Sequence, residues 1–149
     1  MLDKNIYLKL SNYCAGGEKC RADIQKKLTA QKVDRADFEE YLTRLRKENF
    51  LSDERYLKAF IAAHMRKKWG KVKMKNALRS KGIDSGLIDE YLRDIESDDY
   101  DEQFKTLLQK KWSSLEKYAL KDRKQKTIRF LLSRGFEMQK ILAGLKGLN

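Results

Sequence analysis

Met74-Lys-Asn-Ala-Leu78-Arg-Ser-Lys-Gly82-Ile83-Asp-Ser-Gly-Leu-Ile88-Asp-Glu-Tyr91-Leu92-Arg-Asp-Ile95 reads as two helices and the stop between them. Met74 and Leu78 stand four apart, Gly82 suits a left-handed helix end, and Asp84 opens a second apolar stripe of Leu87, Ile88, Tyr91, Leu92 and Ile95. The same offsets occur about fifty residues earlier as Ile24, Leu28, Val33, Phe38, Tyr41, Leu42 and Leu45. They recur about fifty residues later as Leu131, Phe136, Ile141, Leu145 and Leu148, with Thr127 and Gly144 replacing the first apolar residue and the tyrosine. A period of about 20–50 residues marks stacked supersecondary units. The expected fold is therefore all-α: three tandem three-helix repeats, at residues 1–50, 51–97 and 98–149, forming an elongated, curved array.

Each repeat divides into three helices. In the first, Ile6, Leu10 and Tyr13 share a face, Gly16-Gly17 stops the helix, a second helix covers about 20–31, and Asp34 caps a third. In the second, Ser52-Asp53 opens a helix with Tyr56, Phe60 and Ala63 inward, and Gly70 separates it from a helix over about 71–81. The third repeat places Tyr100, Phe104, Leu107, Leu108 and Trp112 on one stripe and Met138, Ile141, Leu142 and Leu145 on another. On the helix between them, Ile128, Leu131 and Leu132 face the core in one of two readings, the one that turns Phe130 outward. Proline is absent and strand-like alternation is hard to find, so nine helices are expected.

Lys and Arg number 34 against 22 Asp and Glu, a net charge of +12. Such an excess favours polyanions: nucleic acid, an acidic protein surface or anionic lipid. The charge comes in blocks, basic over Arg66–Lys81, acidic over Asp84–Glu102, and basic again over Lys105–Arg134. Glu96–Glu102 reads either as a solvated junction or as a helix start enriched in acids. Most carboxylates are expected to pair with lysines four residues away. No apolar run approaches the ~20 residues that span a bilayer. Met1-Leu-Asp-Lys-Asn5 has no signal-peptide grammar, and Cys14 and Cys20 make no disulfide framework, so a cytoplasmic location fits.

No catalytic constellation is visible. His64 is the only histidine and reads as a packing or surface residue; Cys14, Cys20 and His64 lack zinc-site spacing. Neither a dinucleotide fingerprint nor a P-loop is present, so no enzyme, cofactor or metal is expected. The candidate binding residues are basic: Arg66, Lys67, Lys68, Lys71, Lys73, Lys75 and Arg79, then Lys110, Lys111, Arg123, Lys126 and Arg134. On the helix near 71–81, Met74, Ala77 and Leu78 mark the inner side, which puts Lys75, Asn76 and Arg79 opposite and Lys73 at the flank. Such groups contact phosphates or acidic side chains. Trp69 and Trp112 each end a cationic run and read as seals between helices. Phe130 falls either on the outer basic face or, by alignment with Ala77, at the edge of the core, with partial burial favoured.

Three segments then carry a resemblance: Leu51-Ser-Asp53-Glu-Arg55-Tyr, Leu78-Arg-Ser-Lys81-Gly82-Ile83 and Leu132-Ser-Arg134-Gly135-Phe136. In order and spacing they resemble signatures of the RecX family of RecA regulators, and the resemblance runs from about residue 6 to 147. The first repeat departs from the pattern, with Gln31-Lys32-Val33 lacking a glycine and Cys20 standing where a serine cap is usual. The resemblance implies a cytoplasmic regulator that lies along the groove of the RecA–DNA filament, limits its growth or promotes its loss, and lowers ATPase, strand-exchange and coprotease activity. The partner implied is the RecA filament, with single- or double-stranded DNA as a further contact and no membrane. A monomer is favoured by the absence of a spare apolar helix face. Two other readings stay open: a direct, sequence-nonspecific DNA-binding repeat protein, and a passive helical scaffold.

Overall fold

The computed structural model describes residues 1–148, and among these lie nine α-helices, one 3-10 turn and no strand. The helices are α1 (Lys4–Ala15), α2 (Arg21–Ala30), α3 (Phe38–Lys47), α4 (Asp53–Arg66), α5 (Lys71–Ser80), α6 (Ser85–Arg93), α7 (Ser97–Ser114), α8 (Leu120–Ser133) and α9 (Met138–Lys146). Two compact units form. One comprises Met1–Phe60 with Leu78–Ile88, the other Ile61–Ala77 with the chain from Asp89.

In the first unit, α1 buries Tyr7, Leu10 and Cys14, while Ile6 and Tyr13 are half-buried flanks. They pack against Ile24 and Leu28 of α2 and Phe38, Tyr41, Leu42 and Leu45 of α3. Asp3 caps α1 by accepting from the amides of Asn5 (2.8 Å) and Ile6 (3.2 Å). Cys20 does serve as the N-cap residue of α2. Its amide donates to Asp23 Oδ2 at 3.0 Å, the backbone half of a capping box, and its thiol donates to the same oxygen at 3.2 Å. Asp34 corrects the expectation: its side chain makes no cap, because the 3-10 turn Arg35–Asp37 comes between it and α3. Ser52 does cap α4, accepting from Arg55 N–H at 3.2 Å. The inward line of α4 runs through Leu57, with Tyr56, Phe60 and Ala63 only half-buried at its edge.

The second unit is built around aromatics. Tyr100, Phe104, Leu108 and Trp112 of α7 meet Leu131 of α8, Phe136, and Ile141 and Leu145 of α9. The Phe136 ring centroid lies 5.5 Å from that of Tyr100 and 5.2 Å from that of Phe104. Thr127 is buried in place of an apolar residue, and its hydroxyl donates to the Arg123 carbonyl at 2.8 Å. Gly144 replaces a tyrosine because α7 comes too near: a Cβ there would sit 2.7 Å from Leu108 Cδ2. Two residues expected inward are exposed, Met138 at 44% and Leu142 at 46%, and so is Leu132 at 43%, which one of the two readings of α8 turns inward. The buried stripes of α8 and α9 are one residue wide per turn, so neighbours one residue away fall outside. The acids of the 96–102 stretch lie at the start of α7, with Asp98 and Asp99 in its first turn, where they complement the helix dipole.

Four helices end alike. Lys32 (φ 60°), Asn49 (φ 69°), Lys68 (φ 60°) and Gly135 (φ 92°) are left-handed. The amide that follows each returns to the carbonyl five residues back: Val33 to Leu28, Phe50 to Leu45, Trp69 to His64 and Phe136 to Leu131, at 2.8–3.1 Å. Ion pairs also differ from expectation. Among the described residues only Arg44–Glu48 has the four-residue spacing, whereas Arg55–Glu18, Lys75–Asp89, Lys81–Asp23 and Lys140–Asp101 join separate segments.

Candidate functional site

At the start of α5 the amides of Gly70, Lys71 and Val72 find partners far along the chain. Gly70 N–H donates to the Arg134 carbonyl at 2.7 Å, Val72 N–H to the Gly135 carbonyl at 3.0 Å, and Lys71 N–H to Tyr100 Oη at 2.9 Å. Tyr100 in turn donates to Glu137 Oε1 at 2.7 Å. Burial, reinforced by that carboxylate, pushes the Tyr100 hydroxyl far above the ordinary tyrosine range, so it stays a donor. The backbones touch here. A Cβ on Gly70 would lie 2.2 Å from the Gly135 carbonyl carbon, and one on Gly135 would lie 2.2 Å from Lys73 Cβ. This junction holds the basic segment around Arg66–Lys75 against the end of α8 that carries Arg134.

The basic residues singled out from sequence fall into three groups. Arg66, Lys67 and Lys110 are exposed in the second unit, and Arg79 is exposed in the first; among the described residues none of the four has a carboxylate partner. Lys68 is half-buried at a left-handed position. A second group rests its ammonium over an aromatic ring: Lys71 over Tyr100 at 4.8 Å, Lys73 over Trp69 at 4.2 Å, Lys111 over Phe130 at 4.8 Å and Lys126 over Tyr118 at 4.7 Å. The third group is engaged structurally. Lys75 pairs with Asp89 at 2.8 Å, and Arg134 donates to the Lys67 carbonyl. The Arg123 guanidinium lies 4.0 Å over the Trp112 ring and donates to the Trp112 carbonyl through Nε (3.0 Å) and Nη2 (2.8 Å).

Within the second unit the surface this leaves is cationic, with flat rings beneath several of its charges, and suits an anionic partner. Trp112 is buried in the core, and half-buried Trp69 packs its ring at a tilt against His64, with centroids 4.3 Å apart. Phe130 packs partly against the core and keeps a cation over its ring, so features of both its alternative placements are present. Among the described residues no group of three or more His, Cys, Asp or Glu is placed to hold a metal ion, and no helix is long and apolar enough to cross a membrane. Sequence reading missed Tyr118 and Arg129 as members of this surface. For Arg129 a signal existed, since Lys126, Arg129, Phe130 and Ser133 recur at i, i+3, i+4 and i+7.

Comparison with known proteins agrees with this architecture. Residues 52–92 match the family described as RecX, second three-helix domain, and residues 98–143 match RecX, third three-helix domain. The chain is 32% identical over 127 residues to the regulatory protein RecX of Pseudomonas entomophila (strain L48), covering 85% of this chain and 81% of that one. With the regulatory protein RecX of Ectopseudomonas mendocina (strain ymp) it shares 30% over 149 residues, 99% of this chain and 98% of that one. The crystal structure of RecX from Lactobacillus salivarius has the same fold, with a TM-score of 0.84 at 21% identity over 97% of this chain and 94% of that one. The chain belongs to the RecX family of regulatory proteins.

Proposed function

We propose that this protein regulates the RecA recombinase by binding along the helical groove of the RecA–DNA filament. There it blocks filament growth or promotes disassembly, and so lowers RecA's ATPase, strand-exchange and coprotease activities. The observation that carries the reading is membership of the RecX family, at 32% identity over most of both chains. The exposed cations Arg66, Lys67, Lys110 and Arg79 provide contacts for acidic recombinase surface or filament phosphates. Repeats at 1–50, 51–97 and 98–149 are the modules that would share these contacts, and several weak contacts add as avidity. The protein acts by binding, as a cytoplasmic monomer without a cofactor.

The test is the single-stranded-DNA-dependent ATPase of the cognate RecA, titrated with this protein near physiological salt. Inhibition at far less than one molecule per RecA subunit is expected. Inhibition only at amounts that coat the DNA would replace this reading with competition for phosphates, and no inhibition at any ratio would leave a passive scaffold.

A further inference from the structure

An open groove of about 500 Å³ runs between the end of α7 and α8, lined chiefly by Lys111, Leu115, Tyr118, Lys126, Arg129 and Phe130. One wall is the face of α8 on which Lys126, Arg129 and Phe130 stand three and four residues apart. The other wall is Lys111 and the turn that follows α7. That turn is built in advance of any ligand: Leu115 N–H donates to the Trp112 carbonyl at 3.1 Å, Tyr118 N–H to the Leu115 carbonyl at 3.0 Å, and Arg123 holds the Trp112 carbonyl from the side. No carboxylate lines the groove. Among the described residues Lys111, Lys126 and Arg129 have no acidic partner, and two of the three ammonium or guanidinium groups rest over aromatic rings instead.

We infer that this groove binds single-stranded nucleic acid, stacking a base on the ring of Tyr118 or Phe130 while Lys111, Lys126 and Arg129 hold the flanking phosphates. The chemistry selects this occupant. Three cations without an acid call for an anion, and a ring under each of two cations calls for a flat partner close to that charge. A base stacks on a ring more strongly than an exposed ammonium does, so the lysines are free to turn to the phosphates when a strand enters. Duplex bases are stacked on one another and cannot reach the rings. An acidic peptide would satisfy the cations and leave the rings unused. The site is independent of the filament reading, because it is tested on naked strands without recombinase.

The experiment is fluorescence anisotropy of the full chain with a labelled oligothymidylate of about fifteen nucleotides, in about 0.1 M salt. Arg129→Glu, at an exposed position, is expected to weaken binding roughly tenfold or more. Tyr118→Leu, which keeps an apolar side chain and removes the ring, is expected to weaken it roughly five- to tenfold. Lys146→Glu on α9, outside the groove, should stay within about twofold. On the unaltered protein, an abasic strand of equal length should bind about tenfold more weakly than the oligothymidylate. That comparison needs no substitution, so it holds even if Tyr118→Leu disturbs the turn. Equal binding of the abasic strand, or an unchanged affinity in a folded Tyr118→Leu variant, would overturn the stacking site. Displacement of the oligothymidylate by polyglutamate of equal charge, at equal concentration, would overturn nucleic acid in favour of an acidic peptide.

Discussion

Lys32 holds a backbone conformation that glycine holds in the other two repeats: φ is 60° at Lys32, 81° at Gly82 and 92° at Gly135. A side chain with a Cβ is strained there by about 1–2 kcal/mol, partly offset by glycine's larger entropy loss on folding. Lys32→Gly should therefore raise stability by about 1 kcal/mol, seen as a higher urea midpoint at unchanged slope. The two native glycines should respond differently to alanine. Gly82 has open space where a Cβ would go, so Gly82→Ala should cost only the strain, about 1 kcal/mol. Gly135→Ala adds a collision with Lys73, including its backbone nitrogen at 2.7 Å, and should cost more than about 2 kcal/mol in the same urea titration. The glycine at such a stop is legible in sequence. Whether a neighbour fills the space beside it is not, because that neighbour lies about sixty residues away in the chain.

α5 shows the same division one level up. Its apolar spacing, with Met74 and Leu78 fully buried and Ala77 half-buried, follows from sequence alone. Its N-terminus is satisfied by Tyr100, Arg134 and Gly135, which no local motif announces. Tyr100→Phe removes the acceptor for Lys71 N–H and the donor to Glu137, and should destabilise by about 1–3 kcal/mol. The folded state holds the Tyr100 hydroxyl well above its unfolded value of 10.0, chiefly through burial. Its stabilisation is thus fully present below pH 10 and is lost as pH rises above that value. Chemical unfolding followed from pH 8 to 11 should show an alkaline loss that is shallower in Tyr100→Phe. A residual loss is expected from Tyr7, whose hydroxyl burial pushes up to about 12, and from Tyr56, raised for the same first reason.

Net charge of +12 belongs to the whole chain, but only some of it is available to a partner. Arg66 and Lys67 are exposed, whereas Lys75 is engaged by Asp89 and Arg123 by the end of α7. Reversing Arg66 and Lys67 together should therefore raise the amount of protein needed for half-inhibition of the RecA ATPase by roughly tenfold and leave the melting temperature unchanged. An unaltered titration curve would remove this surface from filament binding. A reversal at Arg123 would instead be read first in stability, since its guanidinium serves the Trp112 carbonyl and ring.

Much of this protein follows from the order of its residues. The all-helical class, the recurring stripes of Ile24–Leu45, Met74–Ile95 and Leu131–Leu148, the left-handed stop at Gly82 and the RecX signatures all depend on neighbours within a few turns of helix, where spacing is geometry. Other features were decided by tertiary structure. Leu132, Met138 and Leu142 have the same hydropathy as core residues, yet they are exposed because the facing helices cover a narrower strip. Lys67, Lys75, Lys111 and Arg123 carry the same charge, yet one is free, one is ion-paired, one lies over a ring and one closes a helix. A cation's availability depends on the group folded against it, and that group stands at a distance along the chain that no local pattern records.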